Sequence, residues 1–141
     1  MRGHIGEISR IIRAGLGDYK GHITDHAVAI QNAAKIIPAM FPEGSDFGDT
    51  DALESIWTDQ SGFEKAAQQL VDFSGELVTV SQSGDMKAIG RAIGVVGGAC
   101  KNCHDNYHAS NWSIDYFALS LIHISEPTRQ EAISYAVFCL K

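Results

Sequence analysis

Residues 86–107 read MKAIGRAIGVVGGACKNCHDNY, and this stretch decides how the chain folds. Its apolar and cysteine side chains recur at the three- and four-residue spacing of one face of an α-helix. The residues of that face are Met86, Ile89, Ile93, Val96, Cys100, Cys103 and Tyr107. The pattern predicts a long helix whose core-facing side also carries the two cysteines.

The end of this helix contains the pentapeptide Cys100-Lys101-Asn102-Cys103-His104. Two thiols three residues apart, followed at once by a histidine, are typical of covalent haem attachment. Each sulfur adds to a vinyl group of the porphyrin, and the imidazole ligates the iron. We therefore predict haem c as the cofactor, with Cys100 and Cys103 as its anchors and His104 as the metal ligand.

Two other kinds of site use paired cysteines. A structural zinc site needs four ligands, usually from two such pairs, and the sequence has no second pair. A redox dithiol of the thioredoxin type begins a helix that follows a strand, where the helix dipole lowers the pKa of the thiol. Because this pair lies near the end of a helix with no strand pattern before it, haem attachment is favoured, and dithiol chemistry is the alternative.

The composition limits the classes of function. The chain has 141 residues, 45% of them hydrophobic, which suits one globular domain with its own core. The formal net charge of -6 argues against nucleic-acid binding, which needs a basic face, and is compatible with a basic redox partner. No apolar run is long enough to span a bilayer. We expect neither a nucleic-acid partner nor a membrane partner.

The first half of the chain has two helical patterns. The first extends from the start of the chain to about Leu16, and several glycines should end it there. Its apolar stripe, expected to be buried, comprises Ile5, Ile8, Ile12 and Leu16. The second begins near Thr24 or Asp25, either of which is a suitable cap. Pro38 should bend this second helix or end its regular hydrogen bonding.

The second half of the chain has two more helix signals. Ser61 and Glu64 form a capping-box pair that should start a third helix. Asp85 should cap the fourth helix, which carries the cysteines. A long loop rich in glycine and aspartate precedes the third helix, and Trp57 and Phe63 are expected to fill the core beneath it.

No segment alternates with a period of two, so a sheet is not expected. Helices joined by short turns, with one long loop, predict an all-α fold: an antiparallel four-helix bundle, in which ligand sites form in the core between facing helices. Four positions of the last helix have no side chain, because they are glycines: Gly90, Gly94, Gly97 and Gly98. Each costs about 1 kcal/mol of helix stability relative to alanine. Their spacing indicates either a flat, bulky group or a closely approaching helix beside them.

The last part of the chain has a different character. Residues 119–129, LSLIHISEPTR, resemble the conceptual translation of a sequencing-library adapter, and residues 133–140, ISYAVFCL, resemble the primer site that follows it. The three residues between them match a sample index in length. We therefore expect residues 119–141 to be an adapter-encoded, non-native tail, the alternative being a genuine amphipathic segment. Residues 109–118 are ambiguous, and the haem-binding bundle should comprise residues 1–108.

On these motifs the chain resembles the cytochrome c′ family, including its low-spin relatives with a methionine sixth ligand. The matching segments are Asp25-His26-Ala27, residues 37–45 (IPAMFPEGS), Ile56-Trp57 with Phe63, Gly84-Asp85, and residues 97–107 (GGACKNCHDNY). The resemblance extends from residue 1 to about residue 108. It implies the up-down-up-down bundle of which cytochrome c′ is itself a standard example.

The resemblance also implies roles for individual residues. Cys100 and Cys103 match the thioether cysteines of the family, and His104 matches the proximal iron ligand. Ser45 and Asp46 fall in the loop where the family places polar residues beside the haem edge, which makes them further candidates for cofactor binding. The alternative for this pair is a helix-to-loop turn that needs small polar residues.

The first helix is where the chain departs from the family. Family members carry the residue that covers the vacant iron face in the first turns of that helix. Matching His4 and Ile5 to the family's histidine-hydrophobic pair places this residue before Met1, so we expect the first helix to be truncated. The family commonly pairs through its first two helices, which implies a homodimer. Where the family has Arg or Lys four residues after the ligand, this chain has His108.

The function implied by the resemblance is periplasmic electron transfer with an unidentified redox partner protein. The first alternative is a haem protein that binds a diatomic gas, NO or CO, and the second is a cofactor-free helical bundle for protein interaction. No nucleophile-base pair or phosphate loop is visible, so we do not expect an enzyme. Covalent haem is attached outside the bacterial cytoplasm, which predicts periplasmic localisation, although no secretory leader precedes the first helix. His22 and His26 are interpreted as surface residues near a turn.

Overall fold

A computed structural model describes residues 1–109, and the regular secondary structure of this part of the chain is helical. The α-helices are α1 (Arg2–Arg13), α2 (Lys20–Ile36), α3 (Ser55–Thr58), α4 (Gln60–Ser83) and α5 (Met86–Tyr107). Within the described residues the extended pairing is an isolated antiparallel bridge between Ala52 and His108. The all-α prediction is confirmed. The adapter-like tail and the ambiguous extension beyond Ala109 lie outside the described residues.

The four long helices form the bundle. α1 packs against α2, α2 against α4, α4 against α5, and α5 against α1, so that each helix has two neighbours around one core. The two-residue turn between α4 and α5 makes these helices antiparallel neighbours. The short helix α3 covers the end of α4 and α5. None of the described helices is both long and apolar enough to cross a membrane.

The core is built from one apolar stripe of each long helix. Its fully buried aliphatic side chains are Ile8, Ile23, Ile30, Leu77, Ile89 and Val96. Burying a side chain of this size contributes about 1.5–3 kcal/mol to folding. Cys100 packs against the edge of this cluster, so the cysteine motif lies where the core ends.

The boundaries of the first two helices differ from those predicted. α1 ends at Arg13, because Gly15 adopts a left-handed conformation with φ of 64°. Leu16, predicted to lie on the buried stripe, is exposed. α2 begins at Lys20, a full turn before the predicted Thr24 or Asp25, because a 3-10 turn leads directly into it.

The start of α4 corrects a second prediction. The cap is Asp59, whose carboxylate accepts a hydrogen bond from the Gly62 backbone N–H at 3.2 Å, and the helix begins at Gln60. The predicted capping box of Ser61 and Glu64 is therefore wrong. Asp and Ser are both good caps, and sequence alone does not decide between two of them so close together.

Other predicted boundaries agree with the structure. α2 ends at Ile36, just before Pro38, which opens a 3-10 turn. Asp85 caps α5 as predicted, and its carboxylate accepts hydrogen bonds from the backbone N–H groups of Lys87 and Ala88. The four-residue helix α3 was not predicted, because it is too short to show a helical period.

Candidate haem-attachment site

The site lies in the last two turns of α5. The helix starts at the Asp85 cap and continues to Tyr107, and at His108 the backbone becomes extended with φ of -132° and ψ of 132°. The motif is thus helical along its whole length. A helix brings residues three and four apart onto one face, so Cys100, Cys103 and His104 share the same side of α5.

The three motif side chains are half-buried. Cys100 and Cys103 are free thiols, and Cys100 contacts the core cluster. The Nδ1 atom of His104 is shielded from solvent. The structure therefore brings together the three residues predicted as haem anchors and iron ligand, on a surface that is neither open to water nor fully enclosed.

Burial changes the acidity of all three groups. It raises the pKa of Cys100 to about 11, with a smaller contribution from the neighbouring Cys103, and it raises the pKa of Cys103 as well. Burial also lowers the pKa of His104, as do the nearby His108 and Arg2. At neutral pH the sulfurs are therefore protonated thiols and the imidazole is neutral. Attacking thiols of redox dithiol motifs have a lowered pKa, so dithiol chemistry is disfavoured.

The donor set fits covalent haem. Within residues 1–109 no three His, Cys, Asp or Glu side chains are grouped as ligands of a metal ion. A porphyrin supplies four nitrogen ligands itself and needs one imidazole and two thiols from the protein. Cys100, Cys103 and His104 provide that set, and the imidazole is in the neutral form that ligates metals.

Three glycines of α5 have no close neighbours. At Gly90, Gly94 and Gly98 an added Cβ atom would meet nothing within 4 Å, and Gly94 and Gly98 are exposed. Within the described residues no helix therefore approaches closely at these three positions. A flat group beside the glycines of this helix stays a prediction.

An aromatic cluster lies between the long loop and the end of α5. The Phe41 ring meets Trp57 and Phe63 edge-on, with centroids 6.1 and 5.3 Å away, and Phe63 meets Tyr107 at 5.2 Å. Trp57 donates its indole N–H to the Pro42 carbonyl at 3.0 Å. Phe63 is buried beneath the loop as predicted, whereas Trp57 is only half-buried. Tyr107 connects this cluster to the motif helix.

A cavity of about 200 Å³ adjoins the cluster. It is lined by Pro38, Phe41, Glu43, Ile56, Trp57, Gln60, Phe63 and Glu64. The motif side chains do not line it, and it is smaller than the roughly 300–1,000 Å³ of most cofactor pockets. This cavity is separate from the haem-attachment surface on α5.

The loop is fastened to the end of the motif helix, which the sequence did not indicate. The Leu53 N–H donates to the Tyr107 carbonyl at 3.1 Å, and the Ala109 N–H donates to the Asp51 carbonyl at 2.7 Å. The Ser55 hydroxyl donates to the carbonyl of the residue before Tyr107 at 2.9 Å. No alternating pattern marks this contact, because a single bridge is too short to produce one. It holds the segment that follows His104 in place.

Ser45 and Asp46 lie elsewhere in the loop. The Ser45 hydroxyl and its backbone N–H both donate to the Pro42 carbonyl, at 2.7 and 3.2 Å. Asp46 is exposed. The geometry of Ser45 is that of the small polar turn considered as the alternative, and contact of this pair with the haem edge stays a prediction.

Comparison with known proteins agrees with this geometry. The family model described as Cytochrome C′ matches residues 1–108. Cytochrome c′ of Rhodospirillum rubrum is 38% identical over 86 residues, which are 60% of this chain and 58% of that protein. Cytochrome c′ of Pararhodospirillum photometricum is 30% identical over 105 residues, 74% of this chain and 83% of that protein. The chain thus spans less than two thirds of the first of these relatives.

Solved structures show the same fold. The nitric oxide complex of a variant of cytochrome c prime from Alcaligenes xylosoxidans aligns with a TM-score of 0.69 and 26% identity, covering 77% of this chain and 84% of that chain. A carbon monoxide complex of another variant of that protein aligns with a TM-score of 0.68, 26% identity and coverage of 76% and 83%. Since the family model covers three quarters of the sequence and its bundle is the one described, the chain belongs to the cytochrome c′ family of haem proteins.

Proposed function

We propose that this chain is a c-type cytochrome that transfers electrons in the periplasm, with haem attached through Cys100 and Cys103 and ligated by His104. The observation that carries the proposal is the placement of two free thiols and one imidazole on a single half-buried face of α5 in a family of haem proteins. No catalytic constellation surrounds these residues in the part of the chain that the structure describes, so we propose a carrier rather than an enzyme.

Each motif residue has a distinct task. Cys100 and Cys103 would anchor haem to the last turns of α5, where Cys100 packs against the edge of the core. The neutral imidazole of His104 would ligate the iron. When bound, haem supplies one-electron chemistry at its iron, whose potential depends on axial ligand, burial and nearby charge.

The segment that follows the ligand is also held. The His108 N–H donates to the His104 carbonyl at 3.0 Å, and the two imidazole rings lie 5.2 Å apart with planes tilted by 31°. Leu53 and Asp51 hold the next backbone groups from the loop side. These contacts fix the turn that carries the imidazole and limit the reorientation of its ring.

The test is covalent loading. The full chain, fused to an export signal and expressed with a c-type maturation system, should retain haem on a denaturing gel and give the absorption bands of a c-type haem. The double variant C100A/C103A should lose covalent haem. The matched control is C139S, which removes the cysteine outside the motif and should load like the parent.

Two results would contradict the proposal, one for haem attachment and one for electron transfer. If the parent chain carries no covalent haem in cells that load a reference cytochrome c, the proposal is wrong and a cofactor-free interaction bundle is favoured. If haem is loaded but cannot be reduced and reoxidised reversibly, attachment stands and electron transfer fails.

Gas binding is the second candidate function. The observation that favours it is that the Alcaligenes xylosoxidans relative is described in complexes with nitric oxide and carbon monoxide. The reduced, haem-loaded chain should then shift its absorption spectrum on addition of either gas at micromolar concentration. An unchanged spectrum would leave electron transfer as the function, whereas a shift with a very slow rate of electron exchange would favour the gas sensor or carrier.

A further inference from the structure

A pair of histidines joins the first two helices of the bundle. His4 lies in the first turns of α1, and His26 lies in α2, 22 residues later. Their Nδ1 atoms are 2.9 Å apart, and their ring centroids are 5.1 Å apart with planes tilted by 48°. Both side chains are half-buried, which corrects the interpretation of His26 as a surface residue. The haem-attachment motif does not use this pair.

From this geometry we propose that His4 and His26 form a binding site for a divalent late transition-metal ion, Zn²⁺ or Cu²⁺, across the α1–α2 interface. Neutral imidazole is the commonest protein ligand of these ions. Two facing ring nitrogens contact each other only if at least one of them is unprotonated. At least one of the two Nδ1 atoms therefore directs its lone pair into the space between α1 and α2.

The ring positions suit a chelated ion. With Zn–N bonds of about 2.0–2.1 Å and a tetrahedral angle, two imidazole nitrogens lie about 3.3 Å apart and their ring centres about 5.2 Å apart. The observed ring centres are 5.1 Å apart. An ion can thus enter by a tilt of the rings that widens the N···N separation by about 0.4 Å, without separation of the helices.

The surroundings allow the remaining ligands to be water. Because both histidines are only half-buried, solvent reaches the site and can complete a four-coordinate shell. The site needs no third protein ligand, in agreement with the absence of a three-ligand group from residues 1–109. Among the divalent ions, Cu²⁺ should bind more tightly than Zn²⁺.

Such an ion would fix the start of α1. Arg2, two residues before His4, is close enough to His104 to lower its pKa. Cross-linking α1 to α2 at His4 would therefore hold the segment of α1 that faces the haem ligand. This consequence depends on helix placement and is independent of whether haem is attached.

The experiment titrates ZnCl₂ into the full chain after its thiols are blocked, by haem attachment or by alkylation, and measures heat and thermal unfolding. We expect one ion per haem-loaded chain and a rise in Tm on binding, because the ion binds only the folded pair. The alkylated chain is measured in an H108Q background, because the rings of His104 and His108 are also 5.2 Å apart and would offer a second pair of imidazoles. H4Q and H26Q should each weaken binding at least tenfold and remove the rise in Tm. H22Q is the matched control: it removes an exposed histidine one turn earlier in α2 and should bind within twofold of the parent.

A second measurement needs no variant. In ¹⁵N-labelled parent protein, the Nδ1 resonances of His4 and His26 should shift together as Zn²⁺ is added. If H4Q still binds Zn²⁺ whereas H22Q and H26Q do not, the ion is held by two histidines of α2, and the proposal is wrong. Shifts confined to other histidines, or no saturable binding up to millimolar Zn²⁺, would overturn it as well. A failure of haem attachment would not, because alkylated protein gives the same readout.

Discussion

The Phe63 ring meets the Tyr107 ring edge-on, with centroids 5.2 Å apart and planes at 73°. This contact ties the first turn of α4 to the last turn of the helix that carries the cysteine motif. The Tyr107 hydroxyl also donates to the Asp59 carboxylate at 3.2 Å, and Asp59 caps α4. Gly62 makes this close approach possible, because an added Cβ atom there would collide with Asp59 and with the Tyr107 hydroxyl. The end of the motif helix and the start of α4 are thus one packed unit.

Replacing Phe63 should strongly destabilise this unit. Phe63 is 4% exposed and contacts the Phe41 and Tyr107 rings, so F63A removes a buried aromatic and leaves a cavity. We expect the free energy of unfolding to fall by about 3–5 kcal/mol. Urea denaturation followed by circular dichroism measures the change. The control is F47A at a ring that is 80% exposed, which should change stability by less than about 0.5 kcal/mol. Equal effects of the two variants would contradict the packed cluster.

The raised thiol pKa values predict slow alkylation of the haem-free chain. The thiolate is the reacting form, and burial with a contribution from Cys103 raises the pKa of Cys100 to about 11 from an ordinary value of 9.0. At pH 8, iodoacetamide should therefore modify Cys100 at least tenfold more slowly in the folded chain than in urea. The folded rate should continue to rise above pH 9, where the unfolded rate levels off. Peptide mass spectrometry gives the rate at each cysteine, and equal folded and unfolded rates at pH 8 would contradict the burial.

Sequence reasoning succeeded where one residue and its near neighbours decide the structure. Asp85 caps α5 because a carboxylate two and three residues before free N–H groups accepts their hydrogen bonds, and this spacing is visible in the sequence. The same holds for Cys100, Cys103 and His104, whose shared face follows from helical geometry. Local rules give both the motif and the helix that presents it.

The remaining features depend on tertiary contacts. The bridge between Ala52 and His108 joins residues 56 positions apart, and the His4–His26 contact joins two helices. Neither leaves a periodic pattern, since each involves one residue on either side. Hydrophobic periodicity also failed at Leu16, because the left-handed turn at Gly15 ends α1 before that residue can reach the core.

Asp85 should stabilise the bundle only above acidic pH. The backbone N–H of Ala88, and then that of Lys87, lower the pKa of Asp85 from its ordinary value of 3.8. A carboxyl whose pKa is lower in the folded state stabilises that state above the unfolded pKa, and the contribution is lost as the pH falls through the folded pKa. D85N keeps an acceptor but removes the charge, so it should unfold more readily than the parent at pH 7, by a margin that shrinks as the pH falls below 3.8. Urea denaturation across this pH range tests this, with D49N on the exposed loop as control. A difference that does not shrink as the pH falls would assign the effect to geometry and not to charge.

The two kinds of glycine near the motif helix predict opposite effects of the same substitution. At Gly94, inside α5, an added Cβ atom meets nothing within 4 Å, so G94A should raise the free energy of unfolding of the haem-free chain by about 0.5–1 kcal/mol through helix propensity. At Gly84, between α4 and α5, φ is 72°, a left-handed conformation that costs a residue with a side chain about 1–2 kcal/mol. G84A should therefore lower stability by that amount. Denaturation of both variants is the measurement, and a loss of stability in G94A would mean that the space beside α5 is closed in solution.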